Sequence, residues 1–179
     1  MEERPLDRCL DDEASLEGYR SEEARRETIY GFFASGLGFA DIGIRLGCTT
    51  DEVQEAIAQA RAGRPIFQLR ENLVTWELHR AIAQKLDENP GDIIKRALIQ
   101  AGIMKARQRD TISRGWMTRW EQLLQCDLEI LKPAMLDTGH DAEDLRQMSP
   151  FLGALSQEER RLAILKASII LGARKNPEP

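Results

Sequence analysis

Long apolar runs are missing from this sequence of 179 residues. No stretch approaches the ~18 apolar residues that a membrane-spanning helix needs, so no membrane embedding is expected. Cysteine is scarce, and Cys9, Cys48 and Cys126 stand far apart. An odd, scattered set argues against a disulfide framework and against a CxxC-type zinc site, and it suits a reducing cytosol. Aromatics amount to 6%, and His79 and His140 are the only histidines. No HExxH and no glycine-rich phosphate loop is present, and no cysteine neighbours either histidine in sequence. The expectation is a chain without catalytic residues, metal or cofactor. The first residues, MEERPLDRCLDDE, are acidic and unlike a signal peptide, which adds to a cytoplasmic expectation. No internal repeat or low-complexity tract interrupts the chain.

Charge is plentiful and unevenly placed. The whole chain carries −5. Residues 1–60 hold 6 Lys+Arg against 14 Asp+Glu, residues 61–119 hold 12 against 6, and residues 120–179 hold 7 against 10. An acidic chain with a basic middle third localises a polyanion partner instead of excluding one.

Residues 1–20 lack a sustained period and contain Pro5 and Gly18, so they read as an acidic flexible arm. A helix is expected from Ser21, ending at Ser35-Gly36-Leu37-Gly38. A short helix over 39–46 follows, then a turn at Gly47-Cys48-Thr49 and a helix to Ala62, capped by Thr49 or Thr50. Gly63-Arg64-Pro65 breaks it. In Ile66-Phe67-Gln68-Leu69-Arg70 polar and apolar residues alternate, which predicts the chain's one strand. Two amphipathic helices, about 74–87 and 92–107, are joined by Asn89-Pro90-Gly91. Beyond Arg107 the pattern is helical but less regular. Trp116 and Trp120 lie one turn apart as core residues would, Pro133 divides the next stretch, and Ser156 with Glu159 forms a capping box.

A lone strand must find hydrogen-bond partners, and an antiparallel copy across a two-fold axis is the simplest source. An edge strand or an extended linker is the bland alternative. With its two helices, the block from Pro65 to Arg107 resembles the ribbon-helix-helix family of the Arc and Met repressors. The resemblance covers about a quarter of the chain. It implies a homodimer with Phe67, Leu69, Leu78, Ile82, Ile94 and Leu98 in the dimer core. It also implies base contacts from Gln68, Arg70 and Ile66, although Ile66 is apolar where the family has a polar reader. Phosphate contacts would come from Gly91, Asp92 and Ile93 at the second helix, joined by Arg64, Lys95 and Arg96.

Residues 39–61, FADIGIRLGCTTDEVQEAIAQAR, resemble the helix-turn-helix of bacterial regulators through Ala40, Ile42, Leu46, Gly47, Val53 and Ile57. The resemblance implies DNA contacts from Thr49, Thr50, Gln54 and Arg61. Asp51, Glu52 and Glu55 on the same helix oppose that role, and a helical packing module is the alternative.

The expected fold is therefore mainly α. It has a helix-turn-helix-like bundle over 21–63, a ribbon-helix-helix domain over 64–108 with one intermolecular antiparallel β-ribbon, and a helical module over 109–179. The expected function is a bacterial DNA-binding regulator, a dimeric repressor or autoregulator of double-stranded DNA. The alternative is a protein-binding regulator (an antitoxin, anti-activator or phage-encoded inhibitor) that uses the acidic N-terminal third or the C-terminal helices.

Overall fold

The computed structural model describes the backbone of residues 7–175 and the side chains of residues 21–172. Nine helices lie among the described residues, and no strand does. Contacts divide the chain into two compact units, residues 1–64 and 65–179. No helix of the described residues is long and apolar enough to cross a membrane.

The first unit holds α1 (Asp7–Ala34), α2 (Phe39–Leu46) and α3 (Thr50–Ala62), and each packs on the other two. The helix expected from Ser21 begins at Asp7, so residues 7–20 of the expected arm are helical; residues 1–6 lie outside the described residues. Ile29, Tyr30, Ile42, Val53, Ile57 and Ala60 form the shared core. Arg64 closes the unit. Its guanidinium meets the Glu27 carboxylate through two bonds of 3.1 and 3.0 Å, and lies 4.2 Å from the Tyr30 ring centroid. A bidentate pair with both side chains buried stays stable only with such geometry, because either charge left alone there is strongly disfavoured.

The second unit holds α4 (Arg70–Glu88), α5 (Pro90–Arg107), α6 (Thr111–Leu123), α7 (Leu128–Leu136), α8 (His140–Gln147) and α9 (Gln157–Lys175). Local chemistry sets the ends. Pro90 opens α5, where a missing N–H costs nothing. Asp110 caps α6 by accepting from the Ser113 amide at 2.7 Å. Ser156 and Glu159 exchange bonds of 2.6 and 3.2 Å at the start of α9. Pro133 does not divide the helix around it but sits inside α7, where it forfeits one helical hydrogen bond.

Helix α4 is the centre of this unit, packed on α9, α7, α8 and α5. Leu73, Trp76, Ile82 and Leu86 are buried on it, and Met117, Trp120, Leu131, Met135 and Phe151 fill the space between its neighbours. Both buried indoles are partnered. The Trp120 indole donates to the Leu145 carbonyl at 2.9 Å and the Trp76 indole to the Leu136 carbonyl at 3.0 Å.

The intermolecular β-ribbon is not formed, and three features account for this. Residues 65–67 hold no regular structure, the chain bends at 68–69, and Arg70 already begins α4 with Leu69 as its N-cap. Phe67 is 7% exposed, and the Arg146 guanidinium lies 5.6 Å from its ring centroid, so its apolar face is covered by its own chain. The faces of α4 and α5 that would meet a second copy are likewise turned largely inward. Of the residues expected in a dimer core, Ile82 belongs to the core of this unit and Leu78, Ile94 and Leu98 pack half-buried against it, while Leu69 is 59% exposed.

His79 lies in this core, stacked on Trp120 with centroids 6.1 Å apart and edge-on to Phe151 at 6.2 Å. Its Nδ1 is 2.8 Å from the Thr75 carbonyl and must carry the proton, so Nε2 accepts from the Ser149 hydroxyl at 2.9 Å. Burial pushes its pKa down from 6.5 to about 4. A base depressed on folding leaves stability complete above the unfolded pKa of 6.5, and stability is lost as pH falls toward 4. All three tryptophans lie in the second unit, so their fluorescence reads its unfolding alone. In urea titrations that unit should be about 2 kcal/mol less stable near pH 5 than near pH 7. His79→Gln should flatten most of that difference; an unchanged pH dependence in the variant would contradict the assignment.

Candidate nucleic-acid interface

The passage from α2 to α3 is built on a backbone contact. Gly47 ends α2 at φ 65°, a left-handed conformation that glycine adopts without strain. The Cys48 amide then donates to the Gly43 carbonyl at 3.0 Å. This folds the turn onto α2 so closely that a Cβ at position 43 would lie 2.6 Å from the Cys48 carbonyl oxygen. Only glycine fits there. Thr49 then starts α3 with a capping box: its hydroxyl accepts from the Glu52 amide at 3.2 Å, and Glu52 accepts from the Thr49 amide at 2.7 Å. With Ile42 and Val53 fully buried between the helices, the angle between α2 and α3 is fixed from both sides.

This geometry changes the meaning of the carboxylates on α3. The Glu52 carboxylate is engaged by the Thr49 amide and hydroxyl, which hold its pKa below the usual carboxylate value. Glu55 accepts from the Gln59 amide at 3.0 Å. Both line a shallow cleft with Arg25 and Arg26 of α1, and Arg26 donates to Gln59 at 3.1 Å. Two of the three acidic groups thus sit on the flank of α3 that meets α1. Thr50 and Gln54, one turn apart, share another flank, bordered by Asp51 three residues before Gln54, and both are exposed with Thr49. Asp51 stays exposed in the first turn, where the helix dipole favours it. Arg61 continues the Gln54 stripe two turns on, but it is half-buried with its guanidinium 5.3 Å from the Phe33 centroid. Arg45 of α2 is exposed, 5.8 Å from the Phe32 ring centroid.

The residues expected at a ribbon are placed differently. Ile66, Gln68 and Arg70 are exposed around the start of α4, but no ribbon orders them. Arg64, expected at phosphates, is only 4% exposed and is committed to Glu27 and Tyr30. At the start of α5, Gly91 is exposed, the Ile93 side chain is in the core, and Asp92 pairs with Arg96 at 2.7 Å. Lys95 is exposed. Sequence reasoning missed Gly43, although a glycine inside a short helix, four residues before a turn glycine, is a signal of close backbone approach. No group of three His, Cys, Asp or Glu is placed to hold a metal among the described residues.

The chain matches no protein-family model, no curated protein and no solved structure.

Position 43 offers a direct check. Gly43→Ala should destabilise the first unit by roughly 1–3 kcal/mol, because the clash is with backbone and cannot be relieved by a rotamer change. Gly102→Ala in α5, where a Cβ meets open space, should instead stabilise the second unit by roughly 0.4–1 kcal/mol. Hydrogen exchange resolves the two units; equal protection of α2 and α3 in Gly43→Ala and the parent would refute the contact.

Proposed function

We propose that this chain is a sequence-specific duplex-DNA-binding protein, a transcriptional regulator that places α3 in the major groove. The observation that carries the reading is the glycine-tightened α2–turn–α3 unit with Thr50 and Gln54 exposed on one flank of α3. In a helix-turn-helix the second helix enters the groove by its N-terminal residues while the first crosses the backbone. The Gln54 carboxamide suits adenine, donating to N7 and accepting from N6, and the Thr50 hydroxyl serves either a donor or an acceptor edge. Thr49 and Arg45 border that face. A regulator of this kind acts by occupancy: bound at its site, it excludes or recruits transcription machinery without chemistry of its own.

The acidic balance of the first unit favours a second reading. Residues 1–64 hold 8 Lys+Arg and 14 Asp+Glu, a charge that suits a basic protein surface and opposes DNA. Selection from a random duplex pool separates the two. The DNA reading predicts an enriched sequence, with Gln54→Ala weakening that duplex by about 1–3 kcal/mol and relaxing one base position. No enrichment from the pool, or a Gln54→Ala variant that selects the same sequence with the same affinity, overturns it in favour of protein binding.

A further inference from the structure

An acidic reading unit is repelled by the backbone of the duplex it reads, so attraction must come from elsewhere in the chain. Residues 65–179 are nearly balanced, with 17 Lys+Arg and 16 Asp+Glu, yet residues 93–120 alone hold seven of the cations and one acid, Asp110. That stretch is α5 after its first turn, the connection Gln108–Asp110, and most of α6, two helices packed on one another.

We infer that the corner where α5 meets α6, with Arg107, Arg109 and Arg114 at its centre, is a phosphate-binding surface that supplies the electrostatic part of DNA binding. This rests on the DNA reading of the first unit and adds the second unit to it. Arg107, Arg109 and Arg114 are all exposed, and no ion pair holds any of them among the described residues. The neighbouring charges are already committed: Lys105 pairs with Glu121 at 2.6 Å, Arg96 pairs with Asp92, and the Asp110 carboxylate accepts from the Ser113 amide. The one acid of the stretch is therefore turned into its own helix. Helix stability does not explain the pattern either. Arg107 complements the negative end of α5, but Arg109 and Arg114 flank the positive end of α6, where a cation is mildly unfavourable. At physiological salt exposed charges are screened beyond about 8 Å, so these side chains must touch phosphates to matter.

The test is a salt titration with the full chain and two duplexes, one selected by the chain and one unrelated of equal length. Each phosphate contact contributes about 0.9 to the slope of log K against log salt. The triple variant Arg107→Gln, Arg109→Gln, Arg114→Gln should lower the slope by about 2.7 on both duplexes and leave the preference between them unchanged. Changing Arg160 and Arg161 on α9 to Gln should leave the slope as it is. The three sites are exposed, so tryptophan fluorescence and helical content should stay at parental values. A triple variant with the parental slope overturns the phosphate surface while the α3 reading stands. A parent that binds neither duplex overturns the α3 reading, and this inference with it.

Discussion

A single backbone approach governs the first unit: the Cys48 carbonyl lies where the side chain of residue 43 would be. Everything about α3 follows from it. Because α2 carries no side chain at that point, the turn closes tightly and Gly47 can end the helix left-handed. Thr49 is then presented for its capping box, and Glu52 is drawn into it. A larger residue at 43 would push the turn away, alter the crossing of α2 and α3, and change which flank of α3 faces solvent. The exposed pair Thr50 and Gln54 is thus a product of packing inside the unit and not of the surface sequence alone.

The second unit is organised by a different constraint, the placing of polar side chains inside the packing around α4. His79 is neutral because two oxygen partners and two aromatic rings leave no water for a charge. Arg146 is buried yet donates to the Met135 and Asp137 carbonyls, which are the carbonyls that α7 leaves unpaired at its end. The same guanidinium covers Phe67. One side chain from α8 therefore caps α7 and fastens the segment leading into α4, and that arrangement uses up the apolar surface a partner strand would have needed.

Much of the helical order was legible in the sequence, because caps and turns are local. The Gly47 turn, the Thr49 and Ser156 capping boxes and the Asn89-Pro90-Gly91 break each depend on neighbours within four residues. The strand was not, and the reason is physical. Alternation over five residues records only which side chains prefer burial, and here Phe67 satisfied that preference on Arg146, which is 79 positions away in sequence. Leu69 looked like its companion but serves as the N-cap position of α4 and remains exposed. On α3 the residues of the candidate face were readable, but not the fate of the carboxylates: Glu52 and Glu55 are set apart by hydrogen bonds and by Arg25 and Arg26 of α1. Arg64 looked like a phosphate ligand because its charge was visible and its buried partner, Glu27, was not.

The most direct measurement is an amide chemical-shift map of the labelled chain titrated with a duplex it has selected. The account predicts that the largest shifts fall on Thr49, Thr50 and Gln54 of α3, with a second group at residues 107–114, while α9 stays unmoved. Saturating duplex that leaves the α3 amides in place would contradict it.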